Sequence, residues 1–198
     1  MDLRTKEAIR YLGYKKNTID DQTLQLIQES FQELDLIAEK RSVYQILDVN
    51  IKNDNQLEIG TLKMQSKHLY QNLNGCSQVI LFATTLGTEV DRCLRKYEIV
   101  DLPRAVVLGA CAAAYLEEYC DEVQNKIMNE LRGKSHRPRF SPGYGDLSIL
   151  YQEDILRLLD AHKKIGLSLT EAKMMTPSKS VTAFVGVCDT REQNDDTR

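Results

Sequence analysis

The sequence predicts an α+β protein built on a small twisted sheet, antiparallel or mixed, flanked by helices. Two observations carry this prediction. Apolar residues recur at three- and four-residue spacing in some segments and alternate or run on in others, in the order helices, strand pair, helix, strand, helices, strand. No internal repeat and no long linker interrupts the 198 residues. A single domain over residues 1–190 is therefore expected, with a helical N-terminal part over about 1–40 and a polar tail over 191–198.

In "TKEAIRYLGY", Thr5 is a candidate N-cap, Ile9 and Leu12 share a face, and Gly13 marks the stop. A longer helix is predicted over about 20–40, where Leu24, Ile27, Phe31, Leu34 and Ile37 keep helical spacing. "SVYQILDVNI" alternates as a strand, with its phase open between Val43 and Tyr44. Asn53 to Asn55 is a turn signal, and "QLEI" is the hairpin partner beyond it. "SKHLYQNL" predicts a short helix, and "SQVILFATTLG" a strongly apolar strand closed by Gly87. A helix follows from Thr88 through "TEVDRCLRKY". The longest pattern is "LPRAVVLGACAAAYLEEYCDEVQNKIMNEL", with Pro103 suited to a first turn. Its small residues, "GACAAAY", let another element approach the helix backbone closely. "LSILYQEDILRLLDAHKKIG" predicts one helix ending at Gly166, and "KSVTAFVGV" the last strand.

An apolar fraction of 42% and a charged fraction of 28% fit an ordinary globular protein. A formal net charge of −3 argues against a general nucleic-acid or anionic-membrane binder. No apolar run approaches the roughly 18–20 residues that span a bilayer. The opening "MDLRTKEAIRYLGY" lacks the apolar stretch of a signal peptide, so a cytoplasmic protein is expected. Five cysteines without a C-x-x-C pair point to reduced thiols, with Cys111 and Cys120 facing the core and no metal-ligand set.

The stretch "RPRFSPGYGD", Arg137 to Asp146, holds two of the chain's four prolines, two glycines and two arginines. In "SPGY" Pro142 takes the second and Gly143 the third position of a type II turn, where Pro fixes φ and Gly supplies a positive φ. Pro138 holds Arg137 extended. The outcome is a stiff ledge carrying Arg139 and Tyr144. A guanidinium grips a carboxylate with two parallel hydrogen bonds, and a rigid backbone beside a planar ring suits a flat heterocycle such as a purine. The same composition also fits a plain connection between helices, with Arg139 in an ordinary ion pair.

Other motif-like stretches carry less. "GYGDLS" follows a basic loop rather than a strand and ends in Ser148, against a dinucleotide fingerprint. "DAHKKIG" has one residue more than the cobalamin-ligating D-x-H-x-x-G and falls inside a helical pattern, which makes His162 a solvated helix residue. The histidines His68, His136 and His162 have no evident nucleophile or carboxylate partner in sequence. Lys179 and Ser180 are expected in a solvated loop, with contact to an anion as the alternative.

The second half of the chain resembles the activation (reactivation) domain of cobalamin-dependent methionine synthase, in a free-standing form. "RFSPGY" is an instance of that family's R-x-x-x-G-Y motif for S-adenosylmethionine. "LLDAHKKIGLSLTEAKMMTPSKSVTAFVG" tracks its succession of helix, glycine, "LTES"-like segment, methionine, proline and "SV". "ILFATTLGTEVDRCLRKY" and "EAIRYLGY" resemble small free-standing members. The resemblance implies an activation-domain-like fold and a part in methionine biosynthesis. In that family an electron donor such as flavodoxin reduces inactive cob(II)alamin, and S-adenosylmethionine held on this domain methylates the cobalt.

Carried over by position, the resemblance makes Arg139, Phe140, Ser141, Pro142, Gly143 and Tyr144 the cofactor-binding residues; catalytic residues are not assigned and no metal ligand is implied. Three features depart from the family. Its acidic cofactor residue on the long helix falls at Ala113 or Ala114, with Glu117 and Glu118 about a turn later, its aromatic contacts after the last strand have no counterpart, and of the cysteines that often follow that strand in free-standing relatives only Cys188 is present. The chain is too short for homocysteine, folate and cobalamin modules. The expectation is a reactivation factor acting in trans, with methyl transfer from S-adenosylmethionine to cobalamin on a partner. That partner is a methionine synthase lacking its own activation domain, or another corrinoid protein, and electrons come from an external donor. The alternative is a non-catalytic module that docks on a corrinoid protein or senses S-adenosylmethionine. An ordinary methyltransferase is disfavoured by the missing glycine-rich loop after a first strand.

Overall fold

The computed structural model describes residues 1–14, 19–52 and 54–189. The elements in chain order are α1 (Leu3–Tyr11), α2 (Asp21–Ile37), β1 (Arg41–Ile51), β2 (Gln56–Ile59), β3 (Leu62–Gln65), α3 (Lys67–Leu73) and β4 (Gln78–Thr85). They continue with α4 (Thr88–Val100), α5 (Leu102–Glu130), β5 (Lys134–His136), α6 (Tyr151–Leu159), α7 (Ala161–Ile165), β6 (Ser168–Leu169), β7 (Met175–Thr176) and β8 (Ser180–Asp189). The chain forms two compact units. One comprises Met1–Val43, Ala83–Val123 and Asp160–Val181; the other comprises Tyr44–Phe82, Gln124–Leu159 and Thr182–Arg198. The tail expected over 191–198 and the turn residue Asn53 lie outside the described residues.

The first unit is mainly helical. α1 opens on Asp2, whose carboxylate accepts the Thr5 N–H at 2.7 Å. The cap thus sits three residues before the expected Thr5, which is buried instead. Gly13 follows the helix end with φ +84°, as its stop position requires. On α2 the residues Ile27, Phe31 and Leu34 are buried. Cys111 Sγ lies 3.9 Å from the Ile27 carbonyl, so α2 does pack on the small-residue stretch of α5. Cys111 and Cys120 are fully buried, as expected, and burial pushes the Cys111 thiol up to about 12.

Two segments differ from expectation. "TPSKSV" is anchored rather than solvated. Buried Asp91 accepts the Ser178 N–H at 2.8 Å and its hydroxyl at 2.6 Å, Lys179 Nζ donates to the Gly109 carbonyl at 3.0 Å, and Ser180 is buried. A buried carboxylate needs such donors, and this loop supplies them. The helix expected to run to Gly166 is two helices, because Asp160 between α6 and α7 is left-handed at φ +53°. A left-handed residue breaks a right-handed helix, and aspartate is among the few side chains that adopt it readily. Gly166 still ends α7, at φ +70°, and His162 is exposed on that helix.

The second unit is built on sheet strands. The six-stranded sheet has the order β3-β2-β1-β4-β8-β5. β1 and β2 form the expected hairpin, with Val49 opposite Ile59, and β2 continues into the unanticipated β3. Val43 is buried and Tyr44 exposed, which settles the phase of β1. Both ends of β1 meet the opposite ends of β4, through Glu39 N–H to Leu86 O and Val49 N–H to Ser77 O. Leu86 N–H also reaches Lys179 O, joining the end of β4 to the start of β8. The sheet is therefore antiparallel. β4 and β8 occupy central positions and are buried on both faces, which explains their continuous apolar runs.

The structure corrects the expectation of reduced thiols: Cys76 and Cys188 form a disulfide with 4.3 Å between their Cα atoms. Both are on the same unit but 112 residues apart in sequence, so no spacing rule could have paired them. No helix of the described residues is long and apolar enough to cross a membrane.

Candidate functional site

The loop carrying the motif hangs between β5 and α6, and its two ends are fixed differently. At the front, Arg137 N–H donates to Gly186 O at 2.8 Å, and Phe140 exchanges both backbone hydrogen bonds with Phe184 on β8, at 2.9 and 2.8 Å. Phe140 is buried. Gly186 permits this approach: a Cβ there would lie 2.8 Å from Cys76 Sγ and 3.1 Å from Arg137 Cγ.

The turn that follows matches its sequence. Tyr144 N–H donates to Ser141 O at 3.1 Å, and Gly143, third of the four, has φ +87°. Two more bonds fold the loop on itself, Gly143 N–H to Leu147 O at 2.8 Å and Leu147 N–H to Tyr144 O at 3.2 Å. Leu147 is buried. The Tyr144 ring is 69% exposed and stands edge-on to Phe140, with centroids 5.3 Å apart. A ring so exposed has an open face for stacking.

Arg139 is half-buried, with Nη1 3.4 Å from Gln124 Oε1 on α5. The Gln124 amide is in turn 3.3 Å from His136 Nδ1. The Ser141 and Gly145 N–H groups make no hydrogen bond among the described residues. A guanidinium, an exposed tyrosine and two amides without a hydrogen bond among the described residues thus share one loop. Such a set has the chemistry to bind a planar, anion-bearing ligand by hydrogen bonds and stacking.

Sequence reasoning gave no role to Asp146, the last residue of the stretch. Its carboxylate accepts the Ser66 hydroxyl at 2.5 Å, Lys67 N–H at 2.7 Å and His68 N–H at 3.1 Å. These bonds, the Ser66 hydroxyl above all, hold the carboxyl down to about 2. Ser66, as N-cap of α3, also accepts Leu69 N–H at 3.0 Å. At the other end of α3, Asn72 Nδ2 donates to Pro138 O at 3.2 Å and Arg137 Nη2 donates to Asn74 O at 3.1 Å. The short helix was legible in "SKHLYQNL"; the link from Ser66 to a residue 80 positions later was not.

Elsewhere, Ala113 and Ala114 sit on α5, where Glu118 lies 2.7 Å from Arg4 on α1. Among the described residues no group of three or more His, Cys, Asp or Glu side chains is placed to hold a metal ion.

Residues 72–192, more than half of the chain, match the family described as "Vitamin B12 dependent methionine synthase, activation domain". A solved structure, the MetH reactivation domain bound to AdoHcy, superposes with a TM-score of 0.62 at 17% identity, covering 89% of this chain and 68% of that one. Comparison with curated proteins gives no match.

Proposed function

Since the chain belongs to the family of vitamin B12-dependent methionine synthase activation domains, we propose that Arg139, Phe140, Ser141, Pro142, Gly143 and Tyr144 form its S-adenosylmethionine site. We further propose that the protein acts in trans, supporting reductive methylation of the cobalamin of a separate methionine synthase or other corrinoid protein. The reading rests on one observation above all: the family match spans a loop already closed into a turn, with Arg139 against Gln124 and Tyr144 exposed beside it.

In this reading the residues divide the work. Arg139 grips the ligand's carboxylate, which a planar fork does with two parallel bonds. The Ser141 and Gly145 amides supply further donors, and Tyr144 offers its ring to the adenine or to the corrinoid face. Phe140 has its backbone bonded to Phe184, so it holds the loop in register rather than donating to a ligand. S-adenosylmethionine supplies an activated methyl group on sulfur. The protein's contribution is orientation of that methyl, in a loop whose shape exists before binding. Electrons come from an external donor, of which flavodoxin is the expected kind.

Ala113 and Ala114, at the place of the family's acidic residue, favour a second reading as a non-catalytic docking or sensing module. Calorimetric titration with S-adenosylmethionine tests the site: saturable binding, lost in Arg139→Ala with its fold intact, is expected. Corrinoid-protein reactivation with reductant then separates the two readings, because a docking module leaves the recovery rate unchanged.

A further inference from the structure

We propose that Asp146 is a positioning residue for the motif loop, acting through α3, which splints the two ends of that loop together. As a statement about cofactor binding this rests on the proposed S-adenosylmethionine site; as a statement about the loop it stands on geometry.

α3 holds residues on both sides of the motif. Its C-terminal part takes Pro138 through Asn72, and the chain just beyond it takes Arg137 through Asn74. Its N-terminus takes Asp146 through Ser66, Lys67 and His68. The five or so residues between these anchors rise about 8 Å along a helix, whereas the eight steps from Pro138 to Asp146 reach about 27 Å when extended. The splint therefore enforces a strong compaction of the segment containing Arg139 and Tyr144.

The chemistry selects a carboxylate for this task. Asp146 accepts three hydrogen bonds with two oxygens, and all three donors belong to the first turn of α3 or its cap. Asparagine has the same shape but would turn an NH2 group toward one of those donors. Gly145 brings the carboxylate close: it has φ +60°, and a Cβ there would overlap the His68 ring, with its Cγ at 3.2 Å. Ser66, Lys67 and His68 precede residue 72, where the family match begins, so this end of the splint lies outside the matched residues.

The test uses the full chain with Asp146→Asn, and Ser66→Ala as a second variant that leaves the loop sequence untouched. Amide hydrogen exchange without ligand reads the splint: exchange over 139–147 is expected to rise about tenfold in both variants while β4 and β8 keep wild-type rates. Calorimetry with S-adenosylhomocysteine and with 5′-methylthioadenosine, which lacks the amino-acid carboxylate, reads the consequence. S-adenosylhomocysteine affinity is expected to fall about tenfold, and methylthioadenosine affinity by less, because a displaced Arg139 loses only the carboxylate contact.

Unchanged exchange in the loop overturns the proposal, as does equal weakening of both ligands. If the wild type binds neither ligand, the cofactor reading fails while hydrogen exchange still decides the splint. Should Asp146→Asn fail to fold, Ser66→Ala carries the same comparison.

Discussion

Phe140 and Phe184 form a single antiparallel rung, each donating its N–H to the other's carbonyl, in the middle of the candidate cofactor motif. The motif is thus not a loop laid over the surface but a sheet residue with flexible neighbours made rigid around it. Because the Phe140 side chain is buried, Phe140→Ala should cost about 3–4 kcal/mol of stability. Urea unfolding measures this, and a loss under 1 kcal/mol would mean that the buried ring does not anchor the loop.

Gly143→Ala should weaken ligand binding more than it lowers stability. The positive φ of +87° resists any side chain, and a Cβ would sit 3.3 Å from Ile149 Cδ1. The strain is on the order of 1–2 kcal/mol, small beside global stability but felt directly by the Tyr144 amide next to it. Calorimetry and thermal melting on the same sample separate the two effects.

Thiol counting checks the disulfide. Under denaturing, non-reducing conditions alkylation should modify Cys93, Cys111 and Cys120 alone, and after reduction all five cysteines. In the native protein even those three should react slowly near pH 8. Burial, with Glu33 beside it, pushes the Cys93 thiol up to about 11, and burial pushes Cys111 to about 12. Reduction should lower stability by about 2–4 kcal/mol, since the bridge closes a long loop.

Acid should loosen the splint in a defined window. The Asp146 carboxyl is depressed to about 2 from an ordinary 3.8. A depressed carboxyl contributes stability above its unfolded value and loses it as pH falls toward its folded one. Wild-type stability should therefore fall faster between about pH 4 and 2 than that of Asp146→Asn. Urea midpoints across that range give the comparison, and parallel curves would show that the carboxylate contributes nothing.

Local chemistry made much of this protein legible in its sequence. The SPGY turn was readable because Pro142 and Gly143 dictate their own dihedrals, and β4 and β8 because central strands are apolar on both faces. α3 was readable in the segment "SKHLYQNL". The failures share a physical origin in distance along the chain. Asp160 breaks a helix whose periodicity continues through it. Cys76 meets Cys188, and Asp146 meets Ser66, across 112 and 80 positions of sequence. The short strands β3 and β5 are specified by their neighbours more than by their own residues.

The Cys76–Cys188 bridge turns residues 76–188 into one covalent ring. The motif loop, β4, the long helix α5 and nearly all of the family-matched region lie on that ring, while α1, α2, β1–β3 and α3 precede it in the chain. A protease that nicked the exposed SPGY turn would therefore open the ring without releasing a fragment. On a non-reducing gel the cut chain would keep its full mass, and only a reductant would reveal that the backbone had been severed.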